Sequence, residues 1–288
     1  MSKSTRKTIL VTGATSGIGL ALMENLAARG QRLIGVGRSL ERSQDQQSRL
    51  TQTFPRARIS YLVADLSLQT QIRELTAQVP DVLAEWGTNG LDGLINNAGT
   101  FTFWQSLTAE GFETQWAVNH LAPFLLTNLM LPLLEKAPSA RIITVSSGSH
   151  YGARLNWSDI QGLERYNPLK VYKGTKLANV LFSAELNRRL GPDSTIRAVA
   201  VDPGLVNTAI GQKSQSRIAA LVWKMRRKKG CSPVQAAAEI VQTLENGLDD
   251  SRAVYWKHGQ PKKPNAFALE EDYGWRLWEI SAQMTGLN

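Results

Sequence analysis

Apolar residues recur in two alternating modes along this 288-residue chain: short continuous runs, and longer stretches in which they return every three or four positions. The first mode fits strands buried on both faces; the second fits helices laid over them. Short runs predict strands at 8–12, 32–36, 58–63, 91–95, 140–146, 195–201 and 252–256. Periodic stretches predict helices at 17–29, closed by Gly30, and at 40–52, 68–86, 110–134, 171–190, 233–244 and 270–284. Regular alternation of strand and helix is the pattern of parallel strands joined by crossover helices. The expected fold class is therefore α/β, a doubly wound seven-stranded parallel sheet with helices on both faces. No repeat or low-complexity linker divides the chain, so residues 1–288 read as one domain.

Composition narrows the function. With 42% apolar and 20% charged residues the chain is an ordinary packed globule. One cysteine, Cys231, and three scattered histidines, His120, His150 and His258, argue against a disulfide scaffold and against a metal site. The net charge of +9 is concentrated between Lys213 and Lys229, which holds seven bases and no acid. A local basic segment without zinc-finger spacing or aromatic RNA-binding motifs does not describe a nucleic-acid surface. The first residues lack a signal-peptide apolar region, and the apolar run 121–134 is interrupted by Pro123, Asn128 and Pro132. A cytoplasmic protein without a membrane span is expected.

The first predicted strand ends in Thr12-Gly13-Ala14-Thr15-Ser16-Gly17-Ile18-Gly19 and a helix follows at once. That is the strand, glycine turn, helix context of a dinucleotide site: glycines admit the pyrophosphate, and free amides at the helix start meet its charge. The spacing is GxxxGxG, and Asp65-Leu66, Asn96-Asn97-Ala98-Gly99, Asn119, Ser147, Tyr172-Lys173-Gly174-Thr175-Lys176 and Pro203-Gly204 follow in order. From about residue 8 to 208 the chain resembles the short-chain dehydrogenase/reductase family, a Rossmann-fold family of NAD(P)-dependent oxidoreductases. The runs at 118–127 and 145–150 and the long gap before Tyr172 are similar to retinol-dehydrogenase-like and WW-domain-oxidoreductase-like members.

Tyr172 and Lys176 stand four apart, on one face of a helix. A phenol is a poor base near neutral pH, and a cation one turn away would bring its pKa toward working range. The resemblance implies Tyr172 as general acid/base, Lys176 as its tuner and ribose ligand, and Ser147 as the residue that holds the substrate oxygen. Ser146 is the alternative, since adjacent strand residues point to opposite faces. Asn119 is implied to anchor a proton relay through its backbone carbonyl. Pro123, four residues on, has no N–H to occupy that carbonyl, although a proline also simply kinks helices. His150 and Tyr151 form a rival acid/base pair, weakened by the lack of a lysine four residues after the tyrosine. Gly152 to Leu169 reads as an inserted loop near the active-site mouth.

Coenzyme choice is read after the second strand, where an acid would bind a ribose 2′-hydroxyl. Here Gly37 and Arg38 offer no repulsion and a guanidinium suited to phosphate, so NADP(H) is expected, unless Arg38 is merely a solvated surface arginine. By resemblance, Gly13, Thr15, Ser16, Gly17, Ile18, Gly19, Asp65, Leu66, Asn97, Ala98, Gly99, Tyr172, Lys176, Pro203, Val206 and Thr208 join Arg38 in binding it. The segment 207–231 is expected to be a substrate lid. Ile218, Leu221, Val222 and Met225 give it an apolar face, and its basic rim over 213–229 carries a minor membrane-contact reading. The chain thus reads as a carbonyl or alcohol oxidoreductase for a lipophilic or aromatic small molecule, with an oligomer possible. Two alternatives are an idle NADP(H)-binding regulatory protein and a reductase of carbon–carbon double bonds like the protochlorophyllide reductases, whose cysteine Cys231 does not match in position.

Overall fold

The computed structural model describes residues 6–206, 230–246 and 253–287. Seven parallel strands, β1 (Thr8–Thr12), β2 (Arg32–Gly37), β3 (Arg58–Val63), β4 (Gly93–Asn96), β5 (Ala140–Val145), β6 (Ile196–Asp202) and β7 (Tyr255–Lys257), lie in the order β3-β2-β1-β4-β5-β6-β7. An eighth strand, β8 (Gln260–Pro261), pairs antiparallel with β7. It returns through His258 and Gly259, both at positive φ as tight hairpins require. Two residues are too few to leave a period in the sequence, which is why the expected count was seven.

Helices α1 (Gly17–Ala28), α2 (Leu40–Thr53), α3 (Gln69–Glu85), α4 (Thr114–Leu134), α5 (Pro168–Leu190), α6 (Pro233–Asn246) and α7 (Glu271–Thr285) cover the sheet. Successive strand residues alternate between the faces. Leu10, Ile34, Leu94, Ile142 and Ala198 pack with α3, α4 and α5. Ile9, Leu33, Ile95, Ile143 and Val199 pack with α1 and α6. This double winding makes strand order reverse between β1 and β4, where the carboxyl ends of parallel strands leave a crevice for a ligand.

Two helix starts moved from their expected places because of caps. α4 begins at Thr114, after the Glu113 carboxylate accepts from Trp116 N at 2.7 Å. α5 begins at Pro168, after the Asn167 side chain accepts from Lys170 N at 2.9 Å. Within α4, residues Ala117–Leu121 form a π-helical turn ahead of Pro123. By length and composition α4 could cross a membrane, but 72% of its most apolar window is buried, as in a core helix. The expected lid at 207–231 and Thr208 lie almost entirely outside the described residues, as does the basic run 213–229.

Candidate active site

At the end of β1 the chain turns through Gly13 and Gly17, both at positive φ, into α1. Space as well as φ demands glycine here: a Cβ on Gly19 would stand 2.1 Å from the Gly13 carbonyl oxygen. Exposed Ser16 precedes α1 without capping it through its side chain, and the first turn holds no acid. Unfilled amides, a helix dipole and a surface that admits no side chain fit a pyrophosphate. Asn97 braces this turn: its Nδ2 donates to Thr12 O at 2.8 Å, while the Thr12 hydroxyl accepts from the Asn97 and Ala98 amides, each at 3.0 Å. Thr12, which opens the glycine motif, thus links β1 to the segment after β4.

At the end of β2 a Cβ on Gly37 would lie 2.5 Å from Thr15 Cγ2 and 2.6 Å from Ser43 Oγ. A side chain at this position would need Thr15 and Ser43 to turn aside, and Arg38 next to it is exposed. Asp65 and Leu66 follow β3, with Asp65 Oδ1 accepting from Ser67 N at 2.9 Å and Leu66 set against the core. These residues border the crevice on the β3 side; Pro203 and Val206, after β6, border it on the other.

Ser147, Tyr172 and Lys176 come together beside this crevice. The Ser147 hydroxyl lies close enough to Tyr172 to draw the phenol's pKa slightly down. Ser146 is turned away: its hydroxyl donates to the Lys176 carbonyl at 2.8 Å in the core, which removes it as the alternative. Lys176 Nζ sits 5.5 Å from the Tyr172 ring centre and donates to Val145 O at 3.0 Å. Gly99 packs against this arrangement: a Cβ there would make ordinary contact with Asn119 Oδ1 at 3.4 Å and Lys176 Nζ at 3.8 Å. Asn119 is fully buried; its Oδ1 accepts from Thr100 N at 2.7 Å and its Nδ2 donates to Thr100 O at 2.9 Å. Its side chain thus ties α4 to the loop after Gly99, and Pro123 leaves its carbonyl without the usual helical donor.

Burial shifts both members of the Tyr172–Lys176 pair. Desolvation in the site, joined by the Asp202 carboxylate, pushes the Tyr172 phenol up to about 12, against a small opposing pull from Ser147. Desolvation brings Lys176 itself down to about 8, against an upward pull from Asp202. The tyrosine therefore keeps its proton at neutral pH.

His150 is a brace and no acid/base rival. Its Nδ1 donates to Ser147 O at 2.8 Å, and its Nε2 accepts from Asn265 N at 3.1 Å, which fixes a neutral tautomer with the proton on Nδ1. Burial lowers its pKa in the same sense. Asn265 Nδ2 in turn donates to the carbonyls of His150, Tyr151 and Ala153. Nothing in the sequence announced Asn265, since it stands more than 100 residues from the serine it supports. The inserted loop is likewise docked: Trp157 stacks edge-on against Tyr273 at 5.1 Å, and Tyr166 OH meets Thr102 Oγ1 at 3.0 Å. Cys231, distant in sequence, is brought beside Pro203 and donates its thiol to that carbonyl at 3.5 Å.

A short chain dehydrogenase family model matches residues 7–219, and the chain belongs to that family of oxidoreductases. It is 36% identical to human polyprenol dehydrogenase, over 96% of this chain and 84% of that protein. It is 33% identical to human retinol dehydrogenase 12, over 98% of this chain and 87% of that one. Among solved structures, a protein from Mycobacterium paratuberculosis superposes with a TM-score of 0.74 at 30% identity, over 97% of this chain and 93% of the other. A short-chain dehydrogenase from Sphingobium yanoikuyae in complex with NADPH shares the fold, with a TM-score of 0.67 at 22% identity over 87% of each chain.

Proposed function

We propose that this protein is an NADP(H)-dependent oxidoreductase that interconverts a carbonyl and an alcohol on a lipophilic small molecule. The convergence of Ser147, Tyr172 and Lys176 beside the glycine turn carries this reading. Preference for NADP(H) is supported by glycine, not an acid, at position 37 and by the exposed guanidinium of Arg38. The bound coenzyme supplies the hydride. The chain does the rest. Ser147 holds the substrate oxygen through its hydroxyl, and Tyr172 OH delivers the proton to that oxygen as negative charge develops. Lys176 Nζ is placed to bind the nicotinamide ribose and to stabilise the phenolate that Tyr172 becomes when it gives up its proton, while Gly13, Thr15, Ser16, Gly17, Ile18 and Gly19 hold the pyrophosphate. A phenol that keeps its proton at neutral pH is in the form from which carbonyl reduction draws its proton.

Substrate class rests on the wall beside Tyr172. Phe101 meets the Tyr172 ring edge-on at 5.5 Å and Phe103 at 5.0 Å, with exposed Trp104 next along the loop. An aromatic wall favours an apolar substrate, and relatives named for retinol and polyprenol point the same way. The test is consumption of NADPH or NADH, followed at the nicotinamide absorbance, with retinoid, polyprenoid and short polar carbonyl compounds. Faster turnover of the long apolar carbonyls with NADPH is expected. Equal rates on polar compounds would overturn the substrate class, and a preference for NADH would overturn the coenzyme.

A further inference from the structure

Behind Ser147 lies an ion pair that the proton-transfer chemistry above does not use. Asp202 ends β6 with 1% of its surface exposed, and its register partner on β7 is Lys257. Asp202 Oδ2 lies 2.9 Å from Lys257 Nζ and accepts from Tyr255 OH at 3.1 Å; Oδ1 accepts from Gly204 N at 2.9 Å. The pair packs directly under the catalytic turn: a Cβ on Gly148, the residue after Ser147, would stand 3.2 Å from Asp202 Oδ2 and 3.9 Å from Lys257 Nζ.

An ion pair whose carboxylate is buried and whose ammonium is partly exposed is a poor stability device, because the cost of desolvating the carboxylate offsets much of the attraction. Its position gives it another use. We propose that Asp202 and Lys257 together set the electrostatic field in which Tyr172 holds and releases its proton, Asp202 as the source of negative potential and Lys257 as the counter-charge that limits it. The inference rests on the role given to Tyr172 above, and it makes both members of the pair positioning residues.

The sign follows from the neighbours. Tyr172 is set among Lys176 on its own helix, Ser147 on the serine turn and Asp202 on β6, while Lys257 and Tyr255 on β7 meet Asp202 and His150 packs against Tyr255. His150 is neutral, Tyr255 is held protonated by burial and by Asp202, and Lys173 lies off toward Gly152. Asp202 is thus the one carboxylate acting on both Tyr172 and Lys176 among the described residues, and it opposes a phenolate and favours an ammonium. The Lys257 side chain is 35% exposed, so its charge offsets that of Asp202 only in part. Removing either charge should therefore move the tyrosine in opposite directions, which loss of packing alone would not do.

The experiment is the pH dependence of kcat/KM for carbonyl reduction, whose falling limb reports loss of the Tyr172 proton. Asp202→Asn is expected to move that limb down by on the order of one pH unit. Lys257→Gln is expected to move it up, and Lys257→Arg to restore the wild-type position. Limbs that coincide in all four proteins, or that move the same way in both charge-removing variants, would overturn the proposal. NMR of the protein labelled at tyrosine Cζ reads the same quantity without turnover, with Tyr172 assigned by its loss in Tyr172→Phe. There the resonance should titrate earlier in Asp202→Asn than in wild type, and an unchanged titration overturns the proposal. If Asp202→Asn fails to fold, the two variants at partly exposed Lys257 decide through their pH profiles. A wild-type protein that turns over no carbonyl would sink the proposed function alone, because the NMR titration still decides this inference.

Discussion

The glycine turn and the serine turn are both short, tight and adjacent to the same crevice, yet they are built in different ways. The glycine turn is made by its own residues: positive φ at Gly13 and Gly17, no room for a side chain at Gly19, and a brace from the next strand through Thr12 and Asn97. The serine turn is held from far away. His150 pins the Ser147 carbonyl, Asn265 pins His150, and the Asp202–Lys257 pair fills the space beneath Gly148. One turn needs particular residues at particular places in a short stretch; the other needs the C-terminal segment to be docked. Damage to the first should appear as lost coenzyme binding, and damage to the second as lost chemistry with coenzyme binding retained.

Tyr172→Phe should give the largest effect, since it removes the proton donor and keeps the ring. Turnover is expected to fall by about 10²- to 10⁴-fold with NADPH affinity nearly unchanged. A wild-type rate in the purified variant would show that the serine turn faces some other acid. Gly19→Ala tests the glycine turn. With a Cβ 2.1 Å from the Gly13 carbonyl the turn must shift, at a cost of about 1–3 kcal/mol, and NADPH affinity measured by fluorescence titration should fall by roughly 10- to 100-fold. Unaltered affinity would mean that the turn is looser than its geometry implies.

Arg38→Asp acts at the coenzyme end alone. The ratio of kcat/KM for NADPH over NADH should drop by about tenfold or more, because a carboxylate repels a 2′-phosphate and accepts from a 2′-hydroxyl. An unchanged ratio would mean that Arg38 does not face the phosphate. The smallest effect is expected from Asn265→Ala, which leaves the carbonyls of His150, Tyr151 and Ala153 without their donor. Stability should fall by about 1–3 kcal/mol in a denaturant titration. The kcat should fall a few-fold while the KM for NADPH holds, and a variant in which that KM rises as much as kcat falls would erase the distinction between the two turns.

Much of this was legible in the chain itself. Alternating apolar runs and amphipathic stretches fixed seven parallel strands and the helices between them, because a strand buried on both faces and a helix on its surface leave different periods. GxxxGxG after a strand located the coenzyme turn, and four-residue spacing put Tyr172 and Lys176 on one helix face. These are local relations, encoded within one or two turns of backbone. Other features depended on residues that meet only after folding. The choice of Ser147 over Ser146 came from which hydroxyl reaches the Lys176 carbonyl. His150 became a brace because Asn265 arrived beside it, and the tyrosine was pushed up because the site around it is desolvated and holds Asp202. Sequence spacing sets which side chains share a face, whereas desolvation, long-range hydrogen bonds and the field of a buried charge exist only once distant segments are packed together.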